Sequence, residues 1–249
     1  MEVSDFTFQG STEKIDEILT LLKDFGVVIL PDFLDSDDLN NLKSEFELLL
    51  SSPDDASKKE TPYSDGRAIR ITKKKLSKDS YPVTCKTFNS EFMESFKNSY
   101  LTVKSTLNEE IFVVKDVKGS KHIANDMHFD VIPTLKFFIY LTDTTAKNGA
   151  FTCVPKSHLE TKKIRESADK KISFKNREYT RELNYKEEDV FPIEGPAGTL
   201  IIFTSETFHK AGIVSEGERM VMRGHSRLPK YESKNASLGM KIKHLFGIN

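Results

Sequence analysis

The sequence predicts a protein in which N-terminal helices flank a jelly-roll or sandwich core of short strands. Apolar residues recur at helical spacing in the first hundred residues, and after residue 110 they gather in short runs rich in β-branched side chains. Turn signals separate those runs, and many short strands in succession favour a sandwich or jelly roll. We expect one domain over residues 1–249, with a helical half at about 1–110, a core at about 111–228 and a tail at 229–249.

Three helices are predicted in the N-terminal half. The first begins near residues 11–13, carries an apolar stripe and ends at Gly26, a natural C-cap. Residues 35–36 and 90–91 open the second and third helices. Residues 27–30 form a β-branched run that predicts a short strand between the first two helices.

The remaining segments are assigned by composition. Residues 51–82 are polar and predict a long loop with one short strand near 67–72, and loops of this length are usually lids or disordered. The charged stretch 157–189 is expected to be an insertion between strands, and the tail a short basic helix or a loosely held end. Six strands are predicted in the second half, at 111–117, 122–130, 135–142, 151–154, 200–204 and 220–227.

Composition excludes several classes of partner. With 37 basic and 38 acidic residues the formal net charge is −1, so no bulk field attracts nucleic acid or an anionic membrane. Neither a signal peptide nor an apolar stretch of about 20 residues is visible, so we expect a cytoplasmic protein. Cys85 and Cys153 form no CxxC pattern and are expected to be reduced thiols.

The sharpest chemical pattern is His128-Phe129-Asp130. Residues i and i+2 of a strand point to the same face, so the imidazole and the carboxylate are expected to project together. A second histidine would complete a facial triad for iron(II) and leave three coordination positions open. By itself, His-x-Asp is a weak signal, because a chain with six histidines and many acids can contain it by chance.

His209 is the preferred third ligand. It lies just beyond the end of the buried-looking strand at 198–203. His122 shares the predicted strand face of His128 and is a fallback ligand, and His225 is a second fallback. For a lone histidine, a satisfied core or surface position would be the commoner explanation.

An arginine is expected to bind a co-substrate carboxylate, because its planar fork donates two parallel hydrogen bonds. Arg219 opens the strand that follows His209, and Arg223 shares its face. Four residues of strand span about 13 Å, so only one of the two arginines can reach the same carboxylate. Arg219 is preferred and Arg223 is the alternative.

Further motifs accompany these residues. In chain order the set is His128-x-Asp130, Asn148-Gly149-Ala150-Phe151, Pro155-x-Ser157-His158, Gly198, His209, Gly212 and Arg219. Together they resemble the motifs of the phytanoyl-CoA dioxygenase family. The resemblance covers roughly residues 20–228 and includes the opening segment 24–31. Met127, Lys156 and Thr199 depart from the residues that are common in the family, and His158 matches a family position that we interpret as structural.

The resemblance implies a double-stranded β-helix (jelly-roll, cupin-like) core and an iron(II)- and 2-oxoglutarate-dependent dioxygenase. It implies metal binding by His128, Asp130 and His209, and binding of 2-oxoglutarate by Arg219. O₂ is then consumed, succinate and CO₂ are released, and ascorbate is a candidate reductant. Asp130 favours hydroxylation over halogenation, because related halogenases have a small residue there. A metal-binding jelly-roll module without turnover is the main alternative, and a zinc hydrolase is a second.

The substrate is expected to be a small or medium polar metabolite that bears a carboxylate or a phosphate. The polar segment 51–82 is rich in Lys and Arg, with Arg67 and Arg70 on its strand-like part. A pocket for an aliphatic chain would instead be lined by apolar and aromatic residues. A solvated basic face is an equal alternative, and an acyl-CoA also remains open because basic residues bind phosphates.

Overall fold

A computed structural model describes residues 1–51, 58–61, 66–102, 108–130, 132–167 and 185–228. The predicted tail at 229–249 and the middle of the charged insertion lie outside these residues. None of the described helices is both long and apolar enough to cross a bilayer.

Five α-helices are described, and the three that the sequence predicts are among them. Helix α1 ends at Gly26, whose φ of 76° is the left-handed conformation expected of a glycine C-cap. Ser90 caps α4 by accepting a hydrogen bond from the backbone N–H of Met93. The helices are α1 (Ile15–Phe25), α2 (Ser36–Ser51), α3 (Pro82–Phe88), α4 (Glu91–Leu101) and α5 (His158–Ser167).

The strands form two antiparallel sheets. A large sheet has the order β1-β8-β5-β10-β4-β3-β2, and a small sheet has the order β7-β6-β9. Two sheets whose inner faces enclose a core are the architecture of a jelly roll. The strands are β1 (Val27–Leu30), β2 (Lys58–Thr61), β3 (Arg67–Thr72), β4 (Asn108–Val117), β5 (Leu135–Tyr140), β6 (Phe151–Val154), β7 (Phe191–Ile193), β8 (Leu200–Thr204), β9 (Phe208–Lys210) and β10 (Glu218–Arg227).

The core lies on both faces of the large sheet. Its outer face packs against α1, α2, α3 and α4 through residues such as Ile139 and Met222. Its inner face, represented by Phe138 and Phe203, packs against the small sheet, which contributes Phe151. A strand that is covered on both faces has a nearly continuous apolar sequence, and the fully buried β8 is an example.

Several predicted boundaries are wrong. Residues 122–130 are not a strand, since they contain a short 3₁₀ turn (Ile123–Asn125) and only isolated bridges. Within the segment 51–82, the strand predicted near 67–72 is confirmed as β3, but the sequence missed β2, which pairs with β3 and extends the large sheet beyond β4 and β3. The sequence also missed the short strands β7 and β9 and the helices α3 and α5. The insertion does lie between β6 and β7, as predicted.

Candidate metal and co-substrate site

His128, Asp130 and His209 converge on one site. Their ligand atoms all lie within 4.8 Å of one another, and no other such group of His, Cys, Asp and Glu occurs in the described part of the chain. His128 and His209 exchange two backbone hydrogen bonds, with N···O distances of 2.9 and 2.7 Å. The Asp130 N–H donates to the Ser205 carbonyl at 2.8 Å. These backbone bonds fix the three side chains relative to one another although His128 does not belong to a regular strand.

Both imidazoles are held in the same tautomer. Nδ1 of His128 lies 2.7 Å from the Asp126 carbonyl, and Nδ1 of His209 lies 2.6 Å from the Thr207 carbonyl. A carbonyl oxygen only accepts hydrogen bonds, so each Nδ1 carries the proton and donates it. Each Nε2 therefore presents its lone pair, which is how most metal-bound histidines are oriented.

The protonation states also suit a cation. Burial by itself raises the pKa of Asp130, but its neighbours, first the ammonium group of Lys136 and then the two imidazoles, outweigh burial and hold the pKa at about 2. Burial, followed by the charge of Lys136, lowers the pKa of His209 well below its ordinary value. At neutral pH the site thus offers neutral imidazole and an ionised carboxylate, a donor set that fits iron(II).

Aromatic rings surround His209. The ring centroids of Phe203 and Phe151 lie 5.0 and 5.8 Å from its own centroid, and that of His128 lies 4.5 Å away. Such an apolar wall limits solvent access and lowers the local dielectric.

The two fallback histidines do not join the group. Nδ1 of His122 accepts a hydrogen bond from the Ala124 N–H at 3.0 Å and so caps the 3₁₀ turn. His225 lies on β10, and its ring centroid is 4.4 Å from that of Phe112. His158 lies elsewhere, with Nε2 donating to the Lys23 carbonyl at 2.9 Å, which satisfies the end of α1.

Arg219 is buried and already ion-paired. It is 2% exposed, and its Nε and Nη2 donate to one oxygen of Asp116 at 3.0 and 2.5 Å. Its Nη1 donates to the Gly149 carbonyl. Three of the five guanidinium N–H groups are thus used within the described residues, and one remains on each of Nη1 and Nη2.

Two turns pack closely at Gly149 and Gly212, next to Arg219. A Cβ on Gly212 would lie 2.4 Å from the Ala150 carbonyl oxygen, and one on Gly149 would lie 2.9 Å from the Gly212 carbonyl oxygen. Gly149 also has a φ of 92°, which favours glycine. The absence of side chains lets the two turns touch, which places the Gly149 carbonyl on the guanidinium of Arg219.

A cavity of about 100 Å³ lies inside the barrel on the inner face of the large sheet. Arg223 lies at its wall, with its guanidinium carbon 5.0 Å from the Phe112 ring centroid and 5.9 Å from that of Phe138. Phe138 follows Lys136 by two residues on β5, so the cavity and the metal ligands lie along one face of the sheet. The lining residues are Ala68, Phe112, Val114, His122, Ala124, Phe138, Ala211, Arg219, Val221 and Arg223.

The two arginines of β3 lie on opposite faces of the sheet. Ala68 lines the cavity, and Arg70 shares its face, opposite Phe112 in the register. Arg70 Nη1 lies 3.3 Å from a Glu110 oxygen. Arg67 is exposed and has the opposite parity.

Sequence reasoning missed two residues of this region. Lys136 on β5 places Nζ 2.6 Å from Asp130 Oδ2, and Asp116 on β4 pairs with Arg219. A lysine within the apolar run of β5 was the available signal, because an isolated charge in a buried strand needs a partner.

A jelly roll that brings a His-x-Asp pair against a distal histidine defines the class of iron(II)- and 2-oxoglutarate-dependent oxygenases. The model of the phytanoyl-CoA dioxygenase family matches residues 22–221, and the chain belongs to this family. A search of curated proteins gave no significant match.

Solved structures of similar fold include two alpha ketoglutarate dependent enzymes and a protein with 2-oxoglutarate bound. The epimerase SnoN in complex with Fe³⁺, alpha ketoglutarate and nogalamycin RO has a TM-score of 0.62 at 14% identity, covering 87% of this chain and 84% of that one. The alpha ketoglutarate dependent carbocyclase SnoK has a TM-score of 0.62 at 13% identity, covering 88% and 87%. HygX from Streptomyces hygroscopicus, with nickel, 2-oxoglutarate and hygromycin B bound, has a TM-score of 0.54 at 14% identity, covering 86% and 87%. At such identities the likeness concerns the fold.

Proposed function

We propose that this protein is an iron(II)- and 2-oxoglutarate-dependent dioxygenase that hydroxylates a small or medium polar metabolite with release of succinate and CO₂. The observation that carries the proposal is the convergence of His128, Asp130 and His209 within 4.8 Å, with both Nδ1 atoms bonded to carbonyls. A bound iron(II) would supply the redox chemistry of oxygen activation. The protein's own residues would hold the reactants and exclude water.

Each ligand has a defined task in this proposal. His128 and His209 would donate their Nε2 lone pairs, and Asp130 would donate a carboxylate oxygen. Phe203 and Phe151 would keep bulk water from the metal side of His209. Three ligands leave three positions for the co-substrate and oxygen, as the chemistry requires.

Arg219 is the proposed anchor for the far carboxylate of 2-oxoglutarate. It lines the cavity, and one N–H remains on each of its Nη atoms among the described contacts. Asp116 and the Gly149 carbonyl hold the guanidinium in place, so little side-chain entropy is lost when a carboxylate binds. Arg223 lines the same cavity and remains the alternative anchor.

The proposed substrate carries a carboxylate or a phosphate. Arg70, Phe112, Arg223 and Phe138 lie opposite one another across β3, β4, β10 and β5, on the inner face. Lys136 occupies the next row of that face. Cations backed by aromatic rings bind a polar anion better than a hydrocarbon chain. Glu110 offsets part of the charge of Arg70, and Arg67 has no such inward position.

The decisive experiment is aerobic incubation with iron(II), ascorbate and 2-oxoglutarate against a panel of anionic and neutral metabolites. Succinate formed in step with one hydroxylated product supports the proposal. If the protein binds metal and 2-oxoglutarate but forms no succinate, either with any metabolite of the panel or without a substrate, a metal-binding module without turnover is favoured. Hydrolysis supported by zinc but not by iron would favour a hydrolase.

A further inference from the structure

Lys136 is a buried cation beside the metal ligands. It is 7% exposed and lies in the centre of the large sheet, opposite Phe203 on one side and His225 on the other. Its Nζ lies 2.6 Å from Asp130 Oδ2 and 5.4 Å from the Phe203 ring centroid. An ammonium group in such surroundings is costly without an anionic partner, and the Asp130 carboxylate supplies one.

The two oxygens of Asp130 therefore have different neighbours. Oδ1 lies 3.7 Å from Nε2 of His128, on the side of the imidazoles, whereas Oδ2 contacts Lys136. A carboxylate can bind a metal through one oxygen or through both. If both bound, Asp130 would fill one of the three positions that a facial triad leaves open.

We propose that Lys136 is a positioning residue that holds Asp130 Oδ2 and so limits Asp130 to one coordinating oxygen. This inference rests on the proposed function, because it requires a metal at His128, Asp130 and His209. It adds a residue whose task is to keep the third position open for the co-substrate. The charge of Lys136 also attracts a dianionic co-substrate to the same place.

The test uses the full-length protein loaded with Mn(II) under anaerobic conditions. Water-proton relaxation reports how many water molecules Mn(II) coordinates, and it does not depend on turnover. Lys136→Met keeps approximately the length of the side chain but removes its charge and its hydrogen-bond donors. Lys136→Arg keeps a positive charge and hydrogen-bond donors. Lys97→Met is the matched control. Lys97 is also a buried lysine that is paired with glutamates, Glu94 and Glu109. It lies on the other side of the sheet from the metal ligands, because Glu109 lies on the outer face of β4.

We expect Lys136→Met to lose about a third of the inner-sphere relaxation, since one of three open positions is filled. Its affinity for 2-oxoglutarate should fall by about tenfold or more, because the co-substrate loses a coordination position; loss of a partner of a metal ligand costs about 10–100-fold in metal affinity or activity. Lys136→Arg and Lys97→Met should resemble the parent. Lys136→Leu, which is shorter and has neither a charge nor a hydrogen-bond donor, should behave like Lys136→Met and provides the test should the methionine variant not fold.

Failure of the proposed function and failure of the inference about Lys136 give different results. A parent protein that binds no Mn(II) would reject the proposed function and this inference with it. A parent that binds Mn(II) and 2-oxoglutarate, with unchanged relaxation and affinity in folded Lys136→Met, would reject the role of Lys136 alone. Equal loss in Lys97→Met would show a general effect of removing a buried lysine and would also reject it.

Discussion

Replacing Arg219 by alanine should impair both the fold and the binding of 2-oxoglutarate, and the two effects can be separated. Asp116 is 2% exposed and its carboxylate receives two N–H groups of Arg219. Removing one partner of such a pair costs about 3–5 kcal/mol, because the other charge stays buried and loses its ion-pair partner. Thermal and urea unfolding of Arg219→Ala measure this part, and Asp116→Asn in the same chain should recover much of it.

The loss of binding is a second quantity. A hydrogen bond to a charged group contributes about 1.5–3 kcal/mol. Loss of the remaining Arg219 donors should therefore lower the affinity for 2-oxoglutarate by roughly one to two orders of magnitude. Arg223→Ala, which removes a cation from the same cavity, should have a much smaller effect. Titration of the anaerobic iron(II) protein, followed by its metal-to-ligand absorption band, measures both variants.

The reasoning about Arg219 would be refuted by one pattern. If Asp116→Asn/Arg219→Ala is folded and binds 2-oxoglutarate with the parent's affinity while Arg223→Ala binds it poorly, Arg223 is the anchor. Arg219 and Asp116 would then be a structural pair.

Three further predictions concern the same region. His209→Ala should keep its fold but lose tight iron(II) binding and all turnover. Metal analysis and a succinate assay check this, and a variant that still binds iron and forms succinate would show that His209 is not the third ligand. Arg70→Ala should weaken binding of an anionic substrate several-fold while Arg67→Ala, on the other face of β3, should not; equal KM values in steady-state kinetics would contradict this. Gly212→Ala should cost roughly 1–3 kcal/mol through its clash with the Ala150 carbonyl, and unfolding by urea measures the cost.

Local sequence patterns were sufficient to predict the elements that are stabilised by residues close together in the chain. The apolar stripe of α1, its glycine cap at Gly26 and the buried strand β8 follow from periodicity and from residue conformation. The order His-x-Asp and a later histidine likewise named the three residues that the fold brings together. Such signals extend over a few residues and need no partner to be recognised.

What depends on distant pairing was decided only by the tertiary structure. Residues 122–130 were predicted as a strand, yet His128 is held by two backbone bonds to His209, far along the chain. The strands β7 and β9 are too short to show a period of two, and they exist because β6 pairs with both. Lys136 and Asp130 meet because β5 pairs with β8, which places Lys136 opposite Phe203, and the Phe203 ring lies against His209. A sequence names which groups are able to bind a metal or a carboxylate, but packing and burial decide which groups face one another, because those energies arise from contacts between distant segments.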